Sequence, residues 1–148
     1  MKQPSLDQID LVMRDVEAGI AFYRALGVEI PESSVWRTPS GVHHVDITTP
    51  GGLQIHFDSA ALAKTYNRGW REPSASTGSR CLLTFHVESR DEVDRLHAKL
   101  TDLGHASSQP PYDAFWGARY AIVEDPDGNH VGLMSPSDPA RRGAPPNL

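Results

Sequence analysis

The chain states one plan twice. A strand-like run, Ile9-Asp10-Leu11-Val12-Met13, leads into a helical run that stops at Gly27, and Cys81 to Val87 leads into a second helical run that stops at Gly104. The stop glycines lie 104 − 27 = 77 residues apart, and the glycines ahead of the last strand of each half, Gly52 and Gly128, lie 128 − 52 = 76 apart. A shared period marks a duplicated unit. Neither half is expected to bury its sheet face alone, so the halves are expected to pack together and leave a site between them.

Each unit reads βαβββ, residues 5–58 and 80–136, joined by a bridge at 59–79 within a single domain of 1–136. In the first unit Ile9, Leu11 and Met13 alternate with Gln8, Asp10 and Val12, the period of a half-buried strand. Asp15 is a competent N-cap for a helix carrying Val16, Ile20, Tyr23 and Leu26 on one stripe. A short strand is expected at Val28–Ile30, then strands at Val42–Thr49 and Leu53–Asp58 around the Pro50-Gly51-Gly52 turn. The bridge opens as a short helix, AALAKTY, and ends as the loop-rich PSASTGS.

In the second unit Cys81, Leu83, Phe85 and Val87 share one strand face, and Leu82, Thr84 and His86 the other. Cys81 reads as a small core side chain. Ser89 and Glu92 form a capping-box pattern ahead of Val93, Leu96, Leu100 and Leu103, with His97 a structural histidine on the edge of that stripe. Asp125-Pro126-Asp127-Gly128 lacks the later ligands of a calcium loop and reads as a turn between strands ending at Glu124 and starting at His130. Residues 137–148 have almost no apolar content and are expected to be a disordered tail.

The formal net charge is −5, with lysines and arginines scattered, which argues against nucleic acid as a partner. The apolar runs are too short for a membrane span. A cytoplasmic protein is expected.

Asp15 followed by Ala21-Phe22-Tyr23-Arg24-Ala25-Leu26-Gly27, and Trp116-Gly117-Ala118-Arg119 followed by Asp125-Pro126-Asp127-Gly128-Asn129, resemble the vicinal oxygen chelate superfamily, which includes glyoxalase I, extradiol dioxygenases and bleomycin-resistance proteins. The resemblance implies an α+β fold in which two βαβββ units form a curved mixed sheet around a cleft. It places Ile9, Leu11, Leu53, Ile55, Phe57, Leu83, Phe85, Val131 and Leu133 against helices and the alternate residues on the cleft. It also implies a metal held by the first and last strands of each unit, which here falls on Gln8, His56, Leu82 and Gly132. Leucine and glycine have no side-chain donor, and the remaining Gln8 and His56 are too few for a catalytic ion. No metal or other cofactor is expected.

The candidate ligand-binding residues are therefore the polar groups of the cleft faces, Gln8, Asp10, His44, Gln54, His56 and His86, and the aromatics Trp36, Trp70, Phe115 and Trp116. Asp10 and His56 are the candidate base and acid for any catalysis. Arg119 is expected to anchor the motif internally, pairing with Asp125 or a carbonyl. The reading is a small-molecule binding protein of the bleomycin-resistance type acting as a homodimer. Its alternative is a metal-dependent lyase, isomerase or dioxygenase whose divalent metal sits in a displaced ligand set that includes Gln8 and His56, with Asp10, His44, Asp46 and His86 as further donors.

Overall fold

The structure is a computed structural model that describes residues 3–6, 8–74 and 81–147. It divides into two compact units, 1–76 and 77–148. Residues 75–79 of the expected bridge, and residue 80 at the expected start of the second unit, lie outside the described residues.

In the first unit β1 (Gln8–Met13) leads to α1 (Val16–Leu26), and β2 (Val35–Thr38), β3 (Gly41–Thr48) and β4 (Gln54–Ser59) follow before a short helix, α2 (Ala60–Tyr66). The sheet order is β1-β4-β3-β2, with β1 parallel to β4 and the other pairs antiparallel. Asp15 caps α1 as its sequence predicts, accepting from the Ala18 amide at 3.0 Å. Gly27 ends it with φ of 107°, a left-handed conformation that costs glycine little. The buried stripe Val16, Ile20, Tyr23 and Leu26 is joined by Phe22. Tyr23 sets its ring against Phe57 of β4 at 4.9 Å, which seats α1 on the sheet face that carries Ile55 and Phe57. By strand alternation Gln54, His56 and Asp58 belong to the opposite face.

The strand expected at Val28–Ile30 is not formed. Arg24 donates from Nε to the Ile30 carbonyl at 3.1 Å, so a side chain takes the backbone acceptor that a ladder would need. The apolar signal there comes from Ile30, which is buried as a core side chain. The second strand instead lies at Val35–Thr38, on the edge of the sheet.

The second unit repeats the order. β5 (Leu82–His86), α3 (Arg90–Asp102), β6 (Ser107–Asp113), β7 (Arg119–Glu124) and β8 (His130–Met134) form a sheet of order β5-β8-β7-β6, again with the first and last strands parallel. Ser89 caps α3 by accepting from the Glu92 amide at 3.1 Å, while the Glu92 carboxylate turns to Arg95. Val93, Leu96 and Leu100 are buried, but Leu103 is exposed because the helix has already ended at Asp102. The βαβββ order calls for a strand between α3 and β7, but the sequence does not mark its place, since Pro110 and Pro111 lack the amides a ladder uses. β6 is tolerated as an edge strand paired only to β7, with register shifts on both sides of Gln109.

Two further expectations change. Cys81 is exposed, not part of the core, because the ladder begins one residue later with Leu82 opposite His130. The stretch expected to be a disordered tail is hydrogen-bonded at its start: the Asp138 amide donates to the Gly117 carbonyl at 3.1 Å and the Gly143 amide to the Phe115 carbonyl at 2.8 Å, around a 3-10 turn at Pro139–Arg141.

His97 lies on α3 with Nε2 2.7 Å from the Ser107 hydroxyl of β6. Burial holds its pKa below the ordinary value, against the opposing influence of Asp94. Where the folded pKa of a histidine is depressed, the unfolded chain takes up the proton first and stability falls as pH drops through about 6.5. Relative to His97→Gln, the wild type is therefore expected to lose stability between about pH 7 and pH 5.5, as read from urea unfolding at each pH.

Candidate functional site

Polar residues collect on the face of the first sheet opposite α1, and strand register decides which of them meet. The parallel pairing of β1 with β4 sets Asp10 beside His56, and the antiparallel pairing of β3 with β4 sets Asp46 beside His56 and His44 beside Asp58. His56 consequently has Nδ1 3.2 Å from Asp10 Oδ1, and Nε2 3.4 Å from Asp46 Oδ1 and 3.0 Å from Gln54 Oε1. His44 has Nδ1 2.6 Å from Asp58 Oδ1 and Nε2 2.9 Å from Asp46 Oδ1. The two rings meet edge to face at 5.0 Å.

Two imidazoles thus touch three carboxylates, and the carboxylates differ in setting. Asp58 is 2 % exposed and divides its oxygens between His44 and the Tyr66 hydroxyl, which donates to Oδ2 at 2.6 Å. Asp46 is open to solvent. Burial by itself would lower the pKa of His44, but the hydrogen bonds to Asp58 and Asp46 outweigh it and raise the value above the ordinary one. Burial, reinforced by the Asp58 carboxylate, pushes Tyr66 well above the usual phenol range. The Tyr66 hydroxyl therefore acts as a fixed donor and not as a proton source near neutrality.

Of the residues singled out from the sequence, Asp10, His44, Gln54 and His56 meet here. Gln8 joins only through Asp10, donating to both its oxygens at 3.1 and 3.0 Å. Trp36 lies on β2, not on a loop; it is 51 % exposed and its ring rests against His43 at 5.5 Å. Trp70 has Lys64 Nζ over its ring at 5.5 Å and, with Asn67, Arg68, Arg71 and Glu72, lines a shallow depression of about 340 Å³. Asp58 and Tyr66 escaped the sequence reading as site residues. The signal for Asp58 was present, since it follows His56 by two positions on the same strand face; no local pattern announces that Tyr66 reaches back from α2.

In the second unit the ladder sets Leu82 opposite His130 and Thr84 opposite Gly132. Leu82 is exposed hydrocarbon. At Gly132 an added Cβ would lie 2.6 Å from the Tyr120 hydroxyl and 2.7 Å from Thr84 Oγ1, and these two oxygens are 3.3 Å apart. The place where the resemblance puts a ligand side chain is already filled by two hydroxyls. The four-residue metal set Gln8, His56, Leu82 and Gly132 therefore does not fit this chain.

Elsewhere in this unit Tyr112, Phe115, Trp116 and Tyr120 form an edge-to-face aromatic group with centroids 5.2 to 6.3 Å apart, Phe115 and Tyr112 being exposed and Trp116 half-buried. His86 is exposed on β5. Arg119 pairs with Asp94 at 2.9 Å and Asp113 at 3.0 Å, not with Asp125. Asp125 instead closes its own turn, accepting from the Asp127 and Asn129 amides at 2.9 Å each, as the turn reading requires.

Two βαβββ sheets of identical order, with the first and last strands parallel in each, define an α+β fold of the glyoxalase type. The chain belongs to the glyoxalase/bleomycin resistance protein/dioxygenase superfamily, whose family model matches residues 5–133. A glyoxalase/bleomycin resistance protein/dioxygenase from Nocardioides is similar over 100 % of this chain and 91 % of its own, with 23 % identity and a TM-score of 0.70. A glyoxalase-related enzyme from Fulvimarina pelagi covers 90 % of this chain and 89 % of its own at 21 % identity and a TM-score of 0.71. A lactoylglutathione lyase from Agrobacterium tumefaciens covers 90 % and 96 % at 19 % identity and a TM-score of 0.61. No curated protein matches the sequence. Among the described residues no helix is long and apolar enough to cross a membrane.

The crowded corner of the second unit is open to direct test. Gly132→Ala is expected to destabilise the protein by about 1–3 kcal/mol through overpacking. Tyr120→Phe in the same chain should return part of that loss, because it removes the nearest clashing oxygen. Urea unfolding of the two single variants and the double variant measures the coupling; strictly additive effects would contradict the assignment.

Proposed function

We propose that this chain is a small-molecule binding protein of the bleomycin-resistance type that does not use the four-ligand metal centre of its superfamily. The observation that carries the reading is the second unit's ligand pair: Leu82 offers hydrocarbon, and the space over Gly132 is taken by the Tyr120 and Thr84 hydroxyls. Without those two donors an ion bound in the superfamily's manner would keep only Gln8 and His56, and Gln8 is already committed to Asp10.

What remains suits recognition. Phe115, Tyr112 and Trp116 present aromatic surface in the second unit, where a stacked ring adds about 0.5–1.5 kcal/mol beyond the area it buries. In the first unit Gln8, Asp10, His44, Gln54 and His56 supply hydrogen-bonding groups of both kinds. An aromatic ligand matches the surface of the second unit, and hydrogen-bonding groups of a ligand match that of the first. The working form in this reading is a cytoplasmic homodimer, with the exposed Trp36 as a candidate contact between copies.

A thermal-shift screen of metabolites and antibiotics, run with chelator present, is the first measurement. At least one aromatic compound is expected to raise the Tm, and Trp116→Ala to weaken its binding about tenfold, the equivalent of about 1.4 kcal/mol. Chemical conversion of the stabilising compounds by the protein would overturn the reading in favour of an enzyme, and so would indifference of every hit to substitution of Tyr112, Phe115 and Trp116.

A further inference from the structure

The His and Asp residues of the first unit are arranged more specifically than a solvated polar face requires. We infer that His44, Asp46 and His56 form a site for a divalent first-row transition metal ion, built entirely within the first unit on β3 and β4. It shares only His56 with the set the superfamily resemblance implies. The inference stands beside the small-molecule reading and does not rest on it.

A carboxylate can only accept, so an imidazole nitrogen hydrogen-bonded to one carries the proton. His44 points Nδ1 at Asp58 Oδ1, 2.6 Å away, and His56 points Nδ1 at Asp10 Oδ1, 3.2 Å away. With Nδ1 of each ring turned to its own carboxylate, Nε2 is the nitrogen turned to the shared side, where its hydrogen-bond partners are again acceptors, Asp46 Oδ1 for His44 and Gln54 Oε1 for His56. Both Nε2 atoms face the same oxygen, Asp46 Oδ1, at 2.9 and 3.4 Å. Both nitrogens of each ring thus face acceptor oxygens, more than the one N–H of a neutral imidazole can serve, so the cluster calls for added positive charge.

That charge is either a further proton on each ring or one cation, and the surroundings favour the cation. Metal-bound histidines characteristically give their other nitrogen to a carboxylate, which fixes tautomer and ring orientation. Here both do so, through Asp58 and Asp10, and Asp58 is itself held by Tyr66. The three donor atoms all lie within 4.8 Å of one another. Bonds of about 2.0–2.1 Å put neighbouring donors about 3.0–3.4 Å apart, so the two contacts with Asp46 already span roughly the required edges.

The donor chemistry narrows the ion. Two imidazoles and one carboxylate suit zinc, cobalt, nickel or ferrous iron, whereas calcium and magnesium take oxygen donors almost throughout. Gln54 Oε1, 3.0 Å from His56 Nε2, adds a neutral oxygen on the same side. Three protein donors leave coordination positions open to solvent or to a chelating ligand. Side-chain exposures of 26 % for His44, 59 % for Asp46 and 12 % for His56 give an ion a way in without stripping the site from the surface.

The experiment is titration of the full chain, freed of metal by chelator, with Co2+ or Zn2+ alone. Calorimetry is expected to report one ion per chain at micromolar Kd or tighter, and Co2+ to show visible d–d bands. His44→Ala and Asp46→Ala should each weaken binding by at least tenfold. Asp58→Asn, which touches no metal, should weaken it about 10- to 100-fold through the orientation of His44, with the far-ultraviolet circular dichroism unchanged. No uptake by the wild type at millimolar ion, accompanied by two doubly protonated imidazoles in nitrogen-15 NMR at neutral pH, would overturn the inference; so would uptake indifferent to His44→Ala and Asp46→Ala. Because the wild-type titration uses no organic ligand, its failure would leave the small-molecule reading untouched.

Discussion

The pairing of the first strand with the last, in parallel, organises each unit. Parallel neighbours cannot be joined by a tight turn, so the chain must travel away and return between them. In the first unit that path holds α1 and two antiparallel strands, and the helix settles on one sheet face through Tyr23 and Phe57. The opposite face is where His56 of the last strand meets Asp10 of the first, residues 46 positions apart in sequence and adjacent only because the register is Asp10 to His56. The same pairing in the second unit brings Thr84 beside Gly132. One backbone plan thus presents an ionisable pair in one copy and a hydroxyl beside a bare backbone in the other.

The chemistry of the two copies has diverged accordingly. The first unit concentrates imidazoles and carboxylates on three neighbouring strands, with contacts as short as 2.6 Å. The second has replaced donors with bulk, Tyr120 and Thr84 filling what would be side-chain space over Gly132. A protein of this superfamily that depended on matched donors from both copies could not accept that exchange.

Much of this was legible in the residues, and the reasons differ by element. Asp15, Gly27 and Ser89 act locally, through one hydrogen bond or one backbone dihedral, so their sequence signals carried straight into α1 and α3. The duplicated order followed from the repeat itself. Val28–Ile30 misled because an apolar residue can be buried without joining a ladder, and the Arg24 side chain that takes the Ile30 carbonyl leaves no local pattern. β6 was hidden by its two prolines, which only an edge position tolerates, and edge position is a property of the whole sheet. At the site, alternation placed His44, Asp46 and His56 on a common side, but which oxygen meets which nitrogen depends on register between strands distant in sequence. Arg119 shows the same limit: its partners, Asp94 and Asp113, come from a helix and a neighbouring strand, not from the turn beside it.

Asp58 joins two things usually described separately. One oxygen steadies an imidazole on the sheet and the other receives the hydroxyl at the end of α2, so the aim of a ring and the docking of a helix share a single carboxylate. Displacing Tyr66 would leave one oxygen of a nearly fully buried carboxylate without its donor, beside the ring that the other oxygen orients.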